Sequence, residues 1–354
     1  GKGYETAIVP ATPGNGAQWF AVGGVADPDS LSSWCLARLA EVLPAGTYRV
    51  EGREPGPALH GWQTAQYKNL AYLSDPEPKG PRILLTKDAK AIEPAIAEAQ
   101  AVNLVRRLVD TPPEDMGPAA LEDEIEALAK AHDAKLEVTR GDRLEQHYPL
   151  VHAVGRAAAR HHAPRIIHLS WGKKDAPVLA IVGKGVTFDS GGLDIKSSTG
   201  MALMKKDMGG SAHAIALAKL VMQHNLPVRL HLLVPAVENA ISGNALRPGD
   251  IVKSRKGLTV EITNTDAEGR LILADALDRA SEENPDLLID FATLTGAARV
   301  ALGADIPPFF TDSQQIADAL ARHAVREGDP VWRLPLYAPY LEDMKSPIAD
   351  LNNN

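Results

Sequence analysis

Two short stretches hold most of the residues that could do chemistry. "NTDAEGR", Asn264 to Arg270, sets Asp266, Glu268 and Arg270 at alternate positions after the strand-like "LTVEI". "GKGVTFDSGGLDIKSSTGMALMKKD", residues 183–207, places Lys184, Asp189, Lys196 and Asp207 directly after the apolar run "PVLAIVG". In an extended segment Asp266, Glu268 and Arg270 keep the parity of Val260 and Ile262, so they point where those apolar residues point. Burial of such charges is expensive unless each finds a partner. Alone, the heptapeptide reads as a solvated turn ahead of a helix; the upstream lysines and aspartates reverse that reading. Four carboxylates packed together repel and raise one another's pKa values, and two divalent ions would balance them. A two-metal site is therefore expected, with oxygen-rich ligation that suits Zn, Mn or Mg. A lysine amine could join only where the metal keeps it deprotonated.

Other chemistries do not fit the same residues. The glycine-rich stretch lacks the Walker spacing, and "GKGVTF" has no third glycine for a dinucleotide turn. Phe188 stands where a nucleophile elbow has its first glycine, so Ser190 is not read as a hydrolase nucleophile. There is no HExxH.

The elements that must position these residues form an α/β pattern. "KLEVT", "RIIHLSW", "PVLAIVG", "PVRLHLLVP", "LTVEITN" and "DLLIDFATL" read as strands, with helices between several of them. Near-continuous apolar strands alternating with helices predict a mixed, largely parallel sheet flanked by helices. Ligands in such sheets sit beyond the carboxyl ends of strands, which is where both motifs fall. "SAHAIALAKLVMQH" is apolar nearly all round and predicts a buried helix, with His213 a hydrogen-bonded core residue. In the helix after the heptapeptide, Leu273, Ala276, Leu277 and Ala280 form one stripe, with Asp275, Asp278 and Arg279 opposite. Residues 1–88 alternate short apolar runs with helical stretches and predict a smaller N-terminal α/β domain; residues 89–354 are the expected catalytic domain. It opens on a long helix stopped by Pro112 and Pro113, followed by a second from Pro118 to Ala131.

The chain of 354 residues is 45% hydrophobic and 23% charged, an ordinary globular composition with room for two domains. A formal net charge of -8 and the lack of a long Lys/Arg run argue against nucleic acid as the main partner. Neither a signal-peptide core in "GKGYETAIVPATPG" nor a membrane-span-length apolar run is seen. The single cysteine, Cys35, cannot form an internal disulfide and reads as a packing residue. A reducing, cytoplasmic setting is expected.

"VGKGVTFDSGG", "DIK", "MKKDMGG" and "NTDAEGRLILADAL" together resemble the leucine aminopeptidases, cytosolic dinuclear-metal exopeptidases that share the heptapeptide. The resemblance covers about Val102 to Asn354. It implies that Lys184, Asp189, Asp207, Asp266 and Glu268 ligate two metals, with Asp189 and Glu268 bridging and Asp266 also offering its carbonyl. Lys184 and Asp207 would belong to the tighter site. Lys196 and Arg270 would be the catalytic pair, Arg270 holding a bicarbonate that moves protons in place of a protein base. A metal-bridging hydroxide would be the nucleophile. Met204, Asn264, Thr293, Leu294 and Gly296 would line the pocket for the first side chain, with Leu or Met preferred. Peptides with a free N-terminus are the implied substrates and a homo-hexamer the implied assembly. The family continues past "IADLNNN" with a glycine-rich loop and a further helical and strand portion, so a C-terminal part is expected beyond these residues. Weighed beside this are another dinuclear-metal amidase or phosphatase, and a non-catalytic scaffold or DNA-binding protein on the same fold. The full set of charged residues argues against the scaffold.

His161, His162 and His168 lie far in sequence from the acids and are expected at surface or edge positions. Asp194, Lys205 and Lys206 share the glycine-rich loop without matching ligand positions; the two lysines are expected to be solvated or to stand behind the ligands.

Overall fold

The computed structural model describes residues 4–10 and 19–354. The N-terminal stretch considered above as a leader lies partly outside them. Two compact units form: Gly1–Asn103 with Ala298–Leu336, and Leu104–Ala297 with Tyr337–Asn354. The division falls inside a long helix, whereas the domain boundary expected from sequence lies just ahead of that helix, near Asp88.

In the first unit β1 (Thr6–Pro10) pairs antiparallel with β2 (Trp19–Gly23). Then come α1 (Ala37–Val42), β3 (Gly46–Tyr48), α2 (Leu59–Thr64) and β4 (Arg82–Leu84), with β3 and β4 parallel. Its core is Leu36, Ala40, Leu43, Ala58, Leu59 and Trp62, against which Cys35 packs as expected. The buried Trp62 indole N–H donates to the Arg82 carbonyl at 2.8 Å, satisfying its one polar atom.

The helix α3 (Ala89–Asp110) leads to α4 (Pro118–Ala131), which starts on proline, where a missing N–H costs nothing. Next follow β5 (Lys135–Arg140), α5 (Asp142–His147), α6 (Pro149–Gly155), β6 (Arg165–Trp171), β7 (Val178–Gly183) and β8 (Gly185–Asp189). After these come α7 (Ser198–Met201), α8 (Gly209–Gln223), β9 (Arg229–Asn239), β10 (Ile251–Lys253), β11 (Thr259–Glu261), α9 (Glu268–Ser281) and β12 (Leu287–Phe291). The chain then gives the first unit α10 (Ala297–Leu302, from Ala298), β13 (Pro308–Phe309), α11 (Gln314–Glu327) and β14 (Trp332–Arg333), and returns as β15 (Leu351–Asn352).

The main sheet runs β12-β7-β9-β6-β5, with β8 also on β9. Pairings among β12, β7, β9 and β8 are parallel; β6 is antiparallel to both β9 and β5. This is the expected mixed α/β sheet. One face packs on α4 and α8 through Leu121, Ile125, Ile215 and Met222, and the other on α6 and α9 through Leu150, Val154, Ile272 and Ala276. Coverage of both faces explains why β9 is apolar and buried along most of its length.

Three expectations change. "LTVEI" does not join this sheet: β11 pairs antiparallel with β10 and parallel with β15 in a separate three-stranded sheet. Asp275 is not on the solvent face of α9 but fully buried. Its carboxylate accepts from Leu150 N–H at 2.9 Å, at the N-terminus of α6, and from Arg255 N–H at 2.8 Å. A carboxylate there meets unpaired helix N–H groups, which outweighs the helical stripe pattern. His213 is exposed rather than core, stacked on Phe291 with Nδ1 2.7 Å from the Gly209 carbonyl.

Candidate metal centre

The carboxyl ends of β7, β8, β9 and β12 and the turn after β11 converge on one cluster of charges. Lys184 fills the step between β7 and β8; its N–H donates to the Phe291 carbonyl at 2.9 Å, and its carbonyl accepts from Ser211 N–H at 2.8 Å. Asp189 ends β8 past a bulge, which re-aims its side chain. Gly191 and Gly192 follow at φ +87 and +66, a backbone region that suits glycine, and a Cβ on Gly191 would lie 2.5 Å from the Asp194 carbonyl. Asp207 sits in the 3₁₀ turn Met204–Met208, just ahead of α8. Glu268 opens α9, with Asp266 in the turn before it.

Two lysines tie the acids together. Lys184 Nζ lies 2.7 Å from Asp207 Oδ2 and 3.0 Å from Glu268 Oε1, all three groups being buried. Lys196 Nζ lies 2.8 Å from Asp189 Oδ2 and contacts Asp266 Oδ1. Ligand oxygens of Asp189, Asp266 and Glu268 all fall within 4.8 Å of one another, which joins the two lysine-centred groups.

Four carboxylates thus face two ammonium groups at close range and a third, that of Lys206, 3.9 Å from Asp207, and the electrostatics show the imbalance. Burial pushes Glu268 up to about 8, with Asp189 and Asp207 adding to the rise against Lys184. Burial likewise raises Asp207 and Asp266. Burial opposes charge on Lys184, but Glu268 and Asp207 outweigh it and raise its pKa; Asp189 and Asp266 do the same for Lys196.

The residues fit divalent metal. Asp207 Oδ2, Asp266 Oδ1 and Glu268 Oε1 are buried oxygens that accept no well-aligned hydrogen bond; each faces a lysine by charge alone. Buried acceptors left this way are costly in an ordinary ion-pair network and are the donor type that hard and borderline cations take. Neighbouring groups hold the other oxygens: Asn239 Nδ2 and Gly191 N–H each donate to Asp189 Oδ1 at 2.9 Å, and Thr293 Oγ1 donates to Asp207 Oδ1 at 2.9 Å. Such partners orient ligands and tune a metal site.

A family model described as the cytosol aminopeptidase family, catalytic domain, matches residues 103–354. The chain belongs to the cytosol aminopeptidase family. A probable cytosol aminopeptidase of Nostoc punctiforme is 35% identical over 377 residues, covering 100% of this chain and 76% of the relative. Another, from Acaryochloris marina, is 37% identical, covering 93% and 72%. The crystal structure of a cytosol aminopeptidase from Coxiella burnetii superposes with a TM-score of 0.92 at 43% identity, covering 100% of this chain and 77% of that one. The bottromycin maturation enzyme BotP, in complex with Mn, gives 0.89 at 34%, covering 100% and 80%. Membership makes the chain a leucyl aminopeptidase-type metallo-exopeptidase, a class that binds divalent metal.

The remaining predicted site residues of this family member are less uniformly placed. Arg270 is half-buried and forms no ion pair among the described residues. It does not share the direction of Glu268: the strand ends at Glu261, and positions 268 and 270 lie about 200° apart on a helix. Met204 and Asn264 are half-buried, whereas Leu294 and Gly296 are exposed. Thr293 turns its hydroxyl to Asp207. Of the loop lysines, Lys205 donates to the Asp110 carbonyl at 2.6 Å and Lys206 stands 3.9 Å from Asp207. Ser190 Oγ is committed to the Asn239 carbonyl at 2.6 Å.

Sequence reasoning missed three supporting residues. A Cβ on Gly269 would lie 2.5 Å from Lys184 Cε, so the first turn of α9 crosses the lysine at a distance that any larger residue would open only by shifting Lys184. Glycine is the poorest ordinary helix former, and its place inside a helical pattern was the available signal. Asn239 gave only a polar residue ending an apolar strand. Asp194, passed over because it is no ligand, accepts from Thr265 N–H at 2.7 Å, while Thr265 Oγ1 donates to the Gly191 carbonyl at 2.7 Å. These bonds lock the glycine-rich loop to the heptapeptide turn.

The histidines form something different. His161 is exposed as expected, but His162 is buried against Glu238, and His168 lies on the interior strand β6. His168 Nε2 is 2.9 Å from His231 Nδ1, and His231 Nε2 is 3.5 Å from Glu283. Burial, helped by the charge of Arg279, pushes His168 down to about 4.

Proposed function

We propose that the chain is a dinuclear-metal aminopeptidase that releases N-terminal residues, Leu or Met preferred, from peptides. The observation that carries this is the set of buried oxygens on Asp207, Asp266 and Glu268 that have only lysine charges before them. Lys184, Asp189, Asp207, Asp266 and Glu268 would hold two divalent ions, Zn or Mn. Bound there, the ions would supply Lewis acidity, which makes water acidic enough to serve as a nucleophile at neutral pH and polarises a carbonyl. Lys196, whose side chain keeps 15% of its exposure, can reach the charge that develops on the carbonyl oxygen, and that charge exists mainly in the transition state. Arg270, with no ion-pair partner among the described residues, offers a planar fork that suits bicarbonate as the proton carrier. Met204, Asn264, Leu294 and Gly296 would meet the first side chain, while Thr293 supports Asp207 from behind.

A homo-hexamer and a cytoplasmic setting belong to the same reading and rest on the resemblance. No helix among the described residues is long and apolar enough to cross a membrane. The test is hydrolysis of leucyl amide and N-acetylleucyl amide with added Mn or Zn, and again after chelation. Turnover of the free amine alone, lost on chelation and restored by metal, is expected. Equal turnover of the acetylated amide would indicate a general amidase, and indifference to chelation would sink the metal reading.

A further inference from the structure

The seven residues of the heptapeptide begin in a turn between β11 and α9, and a turn holding two candidate ligands must have its backbone fixed by something. Every N–H from Ile262 to Ala267 has a partner. Ile262 N–H goes to the Asp250 carbonyl, Thr265 N–H to Asp194 and Asp266 N–H to the Asn264 side chain. Ala267 N–H goes to the Asn264 carbonyl. The other two, Thr263 and Asn264, both donate to Asn353 Oδ1, at 2.9 and 3.2 Å. The same amide returns its Nδ2 to the Asn264 carbonyl at 2.7 Å and to the Ala267 carbonyl at 3.4 Å. Asn353 is 2% exposed, and its own N–H donates to the Glu261 carbonyl at 3.2 Å, carrying on the pairing of β15 with β11. One buried amide therefore clamps both flanks of the turn: Thr263 and Asn264 before Asp266, and Ala267 just ahead of Glu268.

We infer that Asn353 is a positioning residue of the metal centre, whose side-chain amide sets where Asp266 and Glu268 present their carboxylates. An amide is the side chain that can accept from two N–H groups and donate to two carbonyls in one place. An aspartate of the same shape would keep the accepting half and set a charged oxygen against the two carbonyls. The inference rests on the metal-centre reading above.

The test compares the metal-stripped wild-type chain with Asn353→Asp and Asn353→Ala, titrating Mn2+ and reading free ion by electron paramagnetic resonance, with urea unfolding run in parallel. Both variants are expected to bind Mn2+ about tenfold or more weakly at a urea concentration of zero, where unfolding shows them folded. Should Asn353→Ala fail to fold, the isosteric Asn353→Asp decides. A lowered urea midpoint with wild-type Mn2+ affinity would make Asn353 a purely structural residue and overturn the inference. A wild-type chain that takes up no Mn2+ would overturn the metal-centre reading, and this inference with it.

Discussion

Two clusters of metal-ligand side chains lie about the main sheet, and they are balanced in opposite ways. In the His168, His231 and Glu283 group the one carboxylate is met by Arg279 at 2.8 Å and Arg229 at 3.2 Å, while the imidazoles face each other. In the cluster beyond the strand ends, Asp189, Asp207, Asp266 and Glu268 meet Lys184 and Lys196 closely and Lys206 only at 3.9 Å, and three buried oxygens lack a hydrogen bond. Proximity of ligand-type groups is common to both, and so is a buried polar atom without a hydrogen bond, His231 Nε2 in the first cluster. A shortfall of positive charge belongs to one, and that shortfall is what a pair of divalent ions would remove.

The largest effect should come from deepening the contrast at its centre. Glu268→Gln removes a carboxylate shared by Lys184 and the candidate ions, and is expected to lower leucyl amide turnover by more than about a hundredfold and to reduce bound metal measured by atomic emission. Next, Lys196→Ala should keep the metal content yet lower kcat by about 10²–10³-fold, the cost of one transition-state donor. Loss of metal in that variant would mean that Lys196 holds the acids in place instead of assisting the reaction.

Gly269→Ala weighs two effects of opposite sign. Alanine gains up to about 1 kcal/mol of helix propensity, but its Cβ would sit 2.5 Å from Lys184 Cε, and overpacking costs about 1–3 kcal/mol. Net destabilisation in urea is expected; a stabilised protein would show that Lys184 can move aside freely.

The smallest effect on turnover belongs to the histidine cluster, where His168→Gln should leave activity unchanged and alter only pH dependence. The folded protein holds His168 near 4, below the ordinary 6.5, so the folded state keeps it neutral while the unfolded chain takes up a proton. Its contribution to stability is present above about pH 6.5 and lost as pH falls toward 4. Urea midpoints across that window should fall more steeply for wild type than for His168→Gln.

Much of this was readable from sequence because it depends on local pattern. The apolar runs became β5, β6, β7, β9 and β12, and α4 begins and ends at Pro118 and Ala131. The six lysines and acids of the two motifs meet because the first motif leaves the main sheet at the ends of β7 and β8, and the turn after β11, a strand of the separate small sheet, reaches the same place. What failed was reasoning that extended a pattern past its element. Strand parity was carried beyond Glu261 into a turn and a helix, where alternate residues diverge, and the helical stripe of α9 could not foresee the α6 N-terminus that draws Asp275 inward. The clamp by Asn353 was invisible, since it depends on β15 pairing with β11 across some ninety residues of chain.

Charge shortfall as the mark of the metal centre is tested most directly by counting Mn2+ ions bound per chain in three proteins: wild type, Glu268→Gln and Glu283→Gln. Two ions in wild type, fewer in Glu268→Gln and two again in Glu283→Gln are predicted. No bound Mn2+ in wild type, or an ion lost with Glu283 and kept without Glu268, would contradict the account.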